Sequence, residues 1–111
     1  MSNEENENKL SAYLEYEQKK RSIYVGMKLE EKLSLSKIAL LVILPECSEK
    51  NEEKLLHIAP QDKVFHSIRY TGSFNLKTCL GYDKLKAFGV KDVSLAKAIY
   101  ETMKKELDDI Q

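Results

Sequence analysis

The sequence predicts an α/β fold: a three-layer α/β/α sandwich around a mixed sheet of about four strands. Residues Ile38–Leu44 (IALLVIL) form the one unbroken apolar run, closed at once by Pro45. A run this short and β-branched reads as a strand buried on both faces, which needs helices above and below it. The next residues, PECSEKNEEKLLHIA, switch to helical spacing, as a crossover connection does. Helix-like and strand-like segments then alternate along the whole chain.

The elements follow in order. Leu10, Tyr13 and Leu14 have helical spacing, and Lys19, Lys20 and Arg21 close that helix with cations that suit its dipole. Ser22–Val25 is a short β-prone stretch broken by Gly26, and Leu29 and Leu33 mark a second helix. After the buried strand, Ser48 is the expected N-cap, with Glu49, Glu52 and Glu53 in the first turns. Leu55, Leu56 and Ile58–Ala59 give that helix its apolar face, and Pro60 ends it. Val64–Ile68 alternates as a strand does. Gly72–Ser73 opens a short helix bearing Leu76, Cys79 and Leu80, with Gly81 as its stop. Leu85–Val90 reads as the last strand. Asp92 or Ser94 caps the last helix, with Leu95, Ile99, Met103 and Leu107 facing inward.

The chain of 111 residues has room for one domain, 10–111, preceded by an acidic tail, 1–9, expected to be disordered. Net charge is zero, which argues against a strongly basic nucleic-acid binder, and DNA is not expected as a partner. Without the tail and Asp108–Asp109, residues 10–107 hold 17 basic and 13 acidic side chains, a balance compatible with phosphate contact. No signal peptide and no span of about 20 apolar residues is visible, so a cytoplasmic protein is expected. Cys47 and Cys79 stand far apart and read as reduced thiols.

Little here suggests catalysis, and the expectation is a non-enzyme without cofactor or metal. His57 and His66 are the only histidines, and neither has metal-ligand spacing to another ligand. The four glycines are isolated, so no phosphate loop exists. Cys47 precedes a helix N-terminus, a place that can depress a thiol pKa, but it has no paired base. The acid pairs Glu52–Glu53 and Asp108–Asp109 read as solvated helix faces.

Three stretches resemble the kink-turn-binding ribosomal-protein superfamily, the archaeal L-seven-Ae type with its small bacterial relatives. Gln18–Gly26 (QKKRSIYVG) is similar to the family's first helix end, short strand and glycine. Leu40–Ala59 resembles its buried strand, small-polar turn and Lys-rich helix. Leu76–Ile99 resembles the segment from L-G-x-A-x-G to the final helix, here with Leu95-Ala96-Lys97-Ala98-Ile99. The resemblance implies a ribosomal L-thirty-e-like fold and contact with structured RNA through G-x-N-E-x-x-K at the start of the second helix. Gly26 and Lys32 match that motif. Lys28 stands at the amide position and Leu29 at the carboxylate position, so two base-reading groups are replaced. Lys77 and Cys79 depart from L-G-x-A-x-G, and the loop Tyr82-Asp83-Lys84 is polar where the family is aliphatic.

Two functions follow as expectations. One is a small RNA-binding protein, ribosome-associated or bound to structured RNA, with Gly26, Lys28, Lys32, Arg21, Lys77 and Lys84 as contacts. The alternative is a protein-interaction module on the same scaffold, using Tyr82, Phe74 or Tyr24.

Overall fold

The computed structural model describes residues 2–59 and 65–110. Nine elements run in the expected order: α1 (Ser2–Lys19), β1 (Ile23–Tyr24), α2 (Gly26–Ser34), β2 (Leu40–Ile43), α3 (Glu49–Ile58), β3 (His66–Arg69), α4 (Leu76–Leu80), β4 (Ala87–Val90) and α5 (Val93–Ile110). Pro60 and Val64, expected to end α3 and open β3, lie outside the described residues. The sheet is open and mixed, in the order β1-β4-β2-β3. β2 runs parallel to β3 and antiparallel to β4, and β1 is antiparallel to β4.

The apolar run behaves as its composition demands. All four residues of β2 are buried, and alternate side chains enter opposite layers. Leu40, Val42 and Leu44 join Leu10, Leu14, Leu76, Leu80, Ala96, Ile99 and Met103, so α1, α4 and α5 cover one face. Leu41 and Ile43 join Leu29, Leu33 and Leu55, so α2 and α3 cover the other. The antiparallel register keeps the faces matched, with Val42 opposite Phe88 and Ile43 opposite Ala87.

Local chemistry sets the helix ends. The Asn51 amide donates to Ser48 Oγ at 3.1 Å, and Glu49 and Glu52 occupy the first turn of α3. At α5 the Leu95 amide donates to Asp92 Oδ1 at 3.3 Å, which makes Asp92 the cap.

Gly89 decides how closely α2 approaches the sheet. A Cβ there would stand 2.6 Å from Leu29 Cδ1 and 3.0 Å from Ile38 Cδ1. Gly89→Ala is therefore expected to cost about 1–3 kcal/mol through overpacking. Urea melts measure this; an unchanged midpoint would mean that α2 shifts freely.

Four expectations are corrected. The tail expected to be disordered is helical from Ser2, because α1 continues along the fold: Asn6 is buried and Glu7 accepts a hydrogen bond from Ser73 Oγ. The short helix starts at Leu76, not Gly72, because Asn75 Oδ1 caps it by accepting from the Thr78 amide at 3.0 Å. Ala96 and Glu106 are buried in α5 with Ile99 and Met103, whereas Leu95 and Leu107 are half-buried; Tyr70 donates a hydrogen bond to the enclosed Glu106. Glu52 is not a solvated acid: β3 presents Arg69, whose guanidinium pairs with it and reaches the carbonyls of Leu44 and Cys47.

Candidate nucleic-acid interface

The start of α2 is an uncapped helix end. Val25 precedes it in an extended conformation and supplies no side-chain cap, and the first turn holds no acid. The first bonded amide is that of Leu29, donating to the Val25 carbonyl at 3.3 Å. The earlier amides of such a helix end are left to bind an outside acceptor, and the helix dipole favours an anion. Gly26 has φ +60°, so a side chain there would strain the backbone.

Beside this end lies a cavity of about 420 Å³, bounded by α2, α3 and the loop from Tyr82 to Lys86. Its apolar wall is Val25, Leu29, Leu55 and Ala87; its polar rim includes Asn51, Lys54, Lys84 and Lys86. Two acids share the lining, Glu30 and Asp83. Glu30 is held by Lys54 at 3.4 Å.

The fold separates the expected contact residues into groups. Gly26 and Lys84, far apart in sequence, line the same cavity. Lys28 is exposed on the first turn of α2, with its ammonium 3.8 Å from Glu31. Lys32 lies one turn on, its Nζ 5.4 Å from the centre of the Tyr24 ring, close enough for a cation–π attraction. Arg21, at φ +58°, lines a neighbouring hollow that shares Tyr82 with the main cavity. Lys77 stands apart: it is paired with Glu46, whose carboxyl that bond holds below the usual range. Leu29 is buried against Gly89, so the position of the resembled motif's carboxylate belongs to the core.

The residues that sequence reasoning missed are Asn51, Lys54 and Lys86. Nothing in their local pattern separates them from ordinary surface positions; only the pairing of β2 with β4 brings their segments to one mouth. Met27 is a second omission, 87% exposed at the helix tip. Of the aromatic residues considered for protein contact, Tyr82 is 43% exposed. Phe74 and Tyr24 pack partly into the core.

Cys47 is buried in the cavity wall, and its thiol donates to the Ser48 carbonyl at 3.6 Å. Burial pushes that thiol's pKa up, outweighing the Arg69 charge, so the helix N-terminus does not produce a thiolate there. His66 stacks on Tyr100 with ring centres 4.7 Å apart, and His57 is exposed on α3. Among the described residues no three His, Cys, Asp or Glu side chains converge as a metal site would require, and no helix is long and apolar enough to cross a membrane.

No protein-family model and no curated protein matches this chain. Among solved structures it is similar to a protein with unknown function from Bacillus halodurans, with a TM-score of 0.70 and 16% identity. The match covers 86% of this chain and 96% of that one. At that identity the likeness shows the mixed α/β architecture alone.

Proposed function

We propose that this chain is a small, non-catalytic RNA-binding protein with a ribosomal L-thirty-e-like fold, acting in the cytoplasm on the ribosome or another structured RNA. The observation that carries the reading is the placement of Gly26 and Lys84 on one cavity, beside an uncapped helix start. Open amides and Lys28 offer a phosphate site from one side; Lys84 and Lys86 offer cations from the other. With Leu29 in the core, no carboxylate reads a guanine edge from that position. Recognition therefore rests on backbone shape and charge, and sequence discrimination is weaker by about 1–3 kcal/mol per missing base contact.

The test compares a kink-turn RNA with a plain duplex of equal length, using fluorescence anisotropy across a salt series. The kink-turn RNA is expected to bind more tightly. Lys28→Glu with Lys84→Glu is expected to weaken it at least about tenfold and to flatten the log–log salt slope by roughly 0.7–0.9 per lost phosphate contact. Equal affinity for both RNAs, or an unchanged double variant, refutes the reading. Exposed Met27 and Tyr82 favour a second reading, a protein partner at the same mouth. Purification without nuclease distinguishes the two, since a defined co-purifying RNA supports the first and a stoichiometric protein the second.

A further inference from the structure

Glu17, in the last turns of α1, is a buried charge that RNA contact does not explain. It is 0% exposed, and among the described residues neither carboxylate oxygen has a hydrogen-bond partner. The Lys20 ammonium stands 3.9 Å from Oε2, yet it is engaged by Asp92 at 2.5 Å. The charged groups acting on Glu17 are these two: Lys20 from its own helix, and Asp92 from the turn leading into α5. α4 also packs on α1, and beside Glu17 in sequence Gln18 Nε2 donates to the Leu80 carbonyl at 2.9 Å. A carboxylate buried among such neighbours is far costlier than a neutral carboxylic acid.

The backbone of Glu17 ties this corner to the rest of the chain. Its carbonyl accepts from the Ser22 amide at 2.9 Å, closing the turn that carries Arg21. The Ser22 carbonyl in turn accepts from the Lys91 amide at 2.9 Å. These two bonds make one backbone unit of the end of α1, the turn before β1 and the approach to α5.

We propose that Glu17 is a proton-operated catch between α1 and α5. Protonated, it lies quietly in the interface. Ionised, it drives the last turn of α1 outward and loosens the 20–22 turn. Burial first, and the Asp92 charge second, raise its carboxyl pKa above the ordinary value, against a smaller opposing effect of Lys20. A folded-state pKa above the unfolded one means that the stabilisation is complete below the ordinary glutamate range. It is lost as pH rises through the raised value.

Amide exchange at Ser22, followed by NMR from pH 5 to pH 8 and expressed as protection factors, tests the catch without any RNA. Protection is expected to fall, by up to about tenfold per pH unit, between the ordinary glutamate range and the raised Glu17 value and to level off above it, because only in that window does the opened form give up a proton that the closed form keeps. Glu17→Gln, neutral at every pH, is expected to hold protection constant. Flat protection in the wild type, or an equal fall in the Gln variant, overturns the proposal. The carbon-13 shift of the wild-type Glu17 carboxyl gives a reading that needs no variant. Titration above the ordinary glutamate range supports the catch, and titration within it overturns it.

Discussion

Phe88→Ala is expected to lower the unfolding free energy by about 3–5 kcal/mol. Phe88 lies on β4, a central strand, with no exposed surface, opposite Val42 and within the layer formed by α1, α4 and α5. Its removal loses both the transfer energy of the ring and the contacts of every side chain lining the hole. Small domains hold only about 5–15 kcal/mol in total, so the loss is a substantial fraction of the stability. Thermal unfolding followed by circular dichroism should show the midpoint falling by roughly 15 °C or more. A loss below about 1 kcal/mol would mean that Phe88 is not in the core described here.

The second large effect belongs to Tyr70→Phe. The Tyr70 hydroxyl donates to Glu106 Oε1 at 2.8 Å and accepts from the Phe74 amide at 3.1 Å. Glu106 Oε2 accepts from the Ser73 amide at 3.3 Å, and the carboxylate is otherwise enclosed. Burial, and then the bond to Glu106, raise the tyrosine's pKa, so the hydroxyl remains a donor. Deleting one oxygen removes a donor from a buried carboxylate and orphans an amide, at an expected cost of about 2–4 kcal/mol. Urea melts measure the loss. Adding Glu106→Gln should recover part of it, because a neutral amide is less costly to leave half-satisfied. A single-variant loss under about 0.5 kcal/mol would show that Tyr70 does not support Glu106.

The architecture was legible wherever a residue's own chemistry decides the outcome. β2 announces itself because seven apolar residues in succession admit few arrangements. Ser48, Asp92 and Gly81 mark helix ends through groups that act within a few residues. The errors arose where distant segments meet. Leu95 looks as apolar as Ala96, yet Ala96 is buried more completely; Glu106 is enclosed where Tyr70, from the end of β3, reaches α5. Glu17 resembles any surface acid in a charged helix. It is buried in the fold, where the charge of Asp92, a residue far along the chain, acts on it. The acidic start of α1 reads as unstructured until Ser73 supplies a partner for Glu7. The candidate site divides in the same way. Gly26 stands out in the sequence as the break after a short β-prone stretch, whereas Lys86 and Lys54 come to one cavity only through the sheet order.

The sheet order also governs how the protein emerges from a ribosome. β4 lies between β1 and β2, and α1 packs on α5. Synthesis therefore delivers Leu10 and Leu14 before the α5 residues Ala96, Ile99 and Met103 of the same layer. The layer over that stripe closes only once α5 has left the exit tunnel, so the contacts of longest sequence separation form after the more local ones.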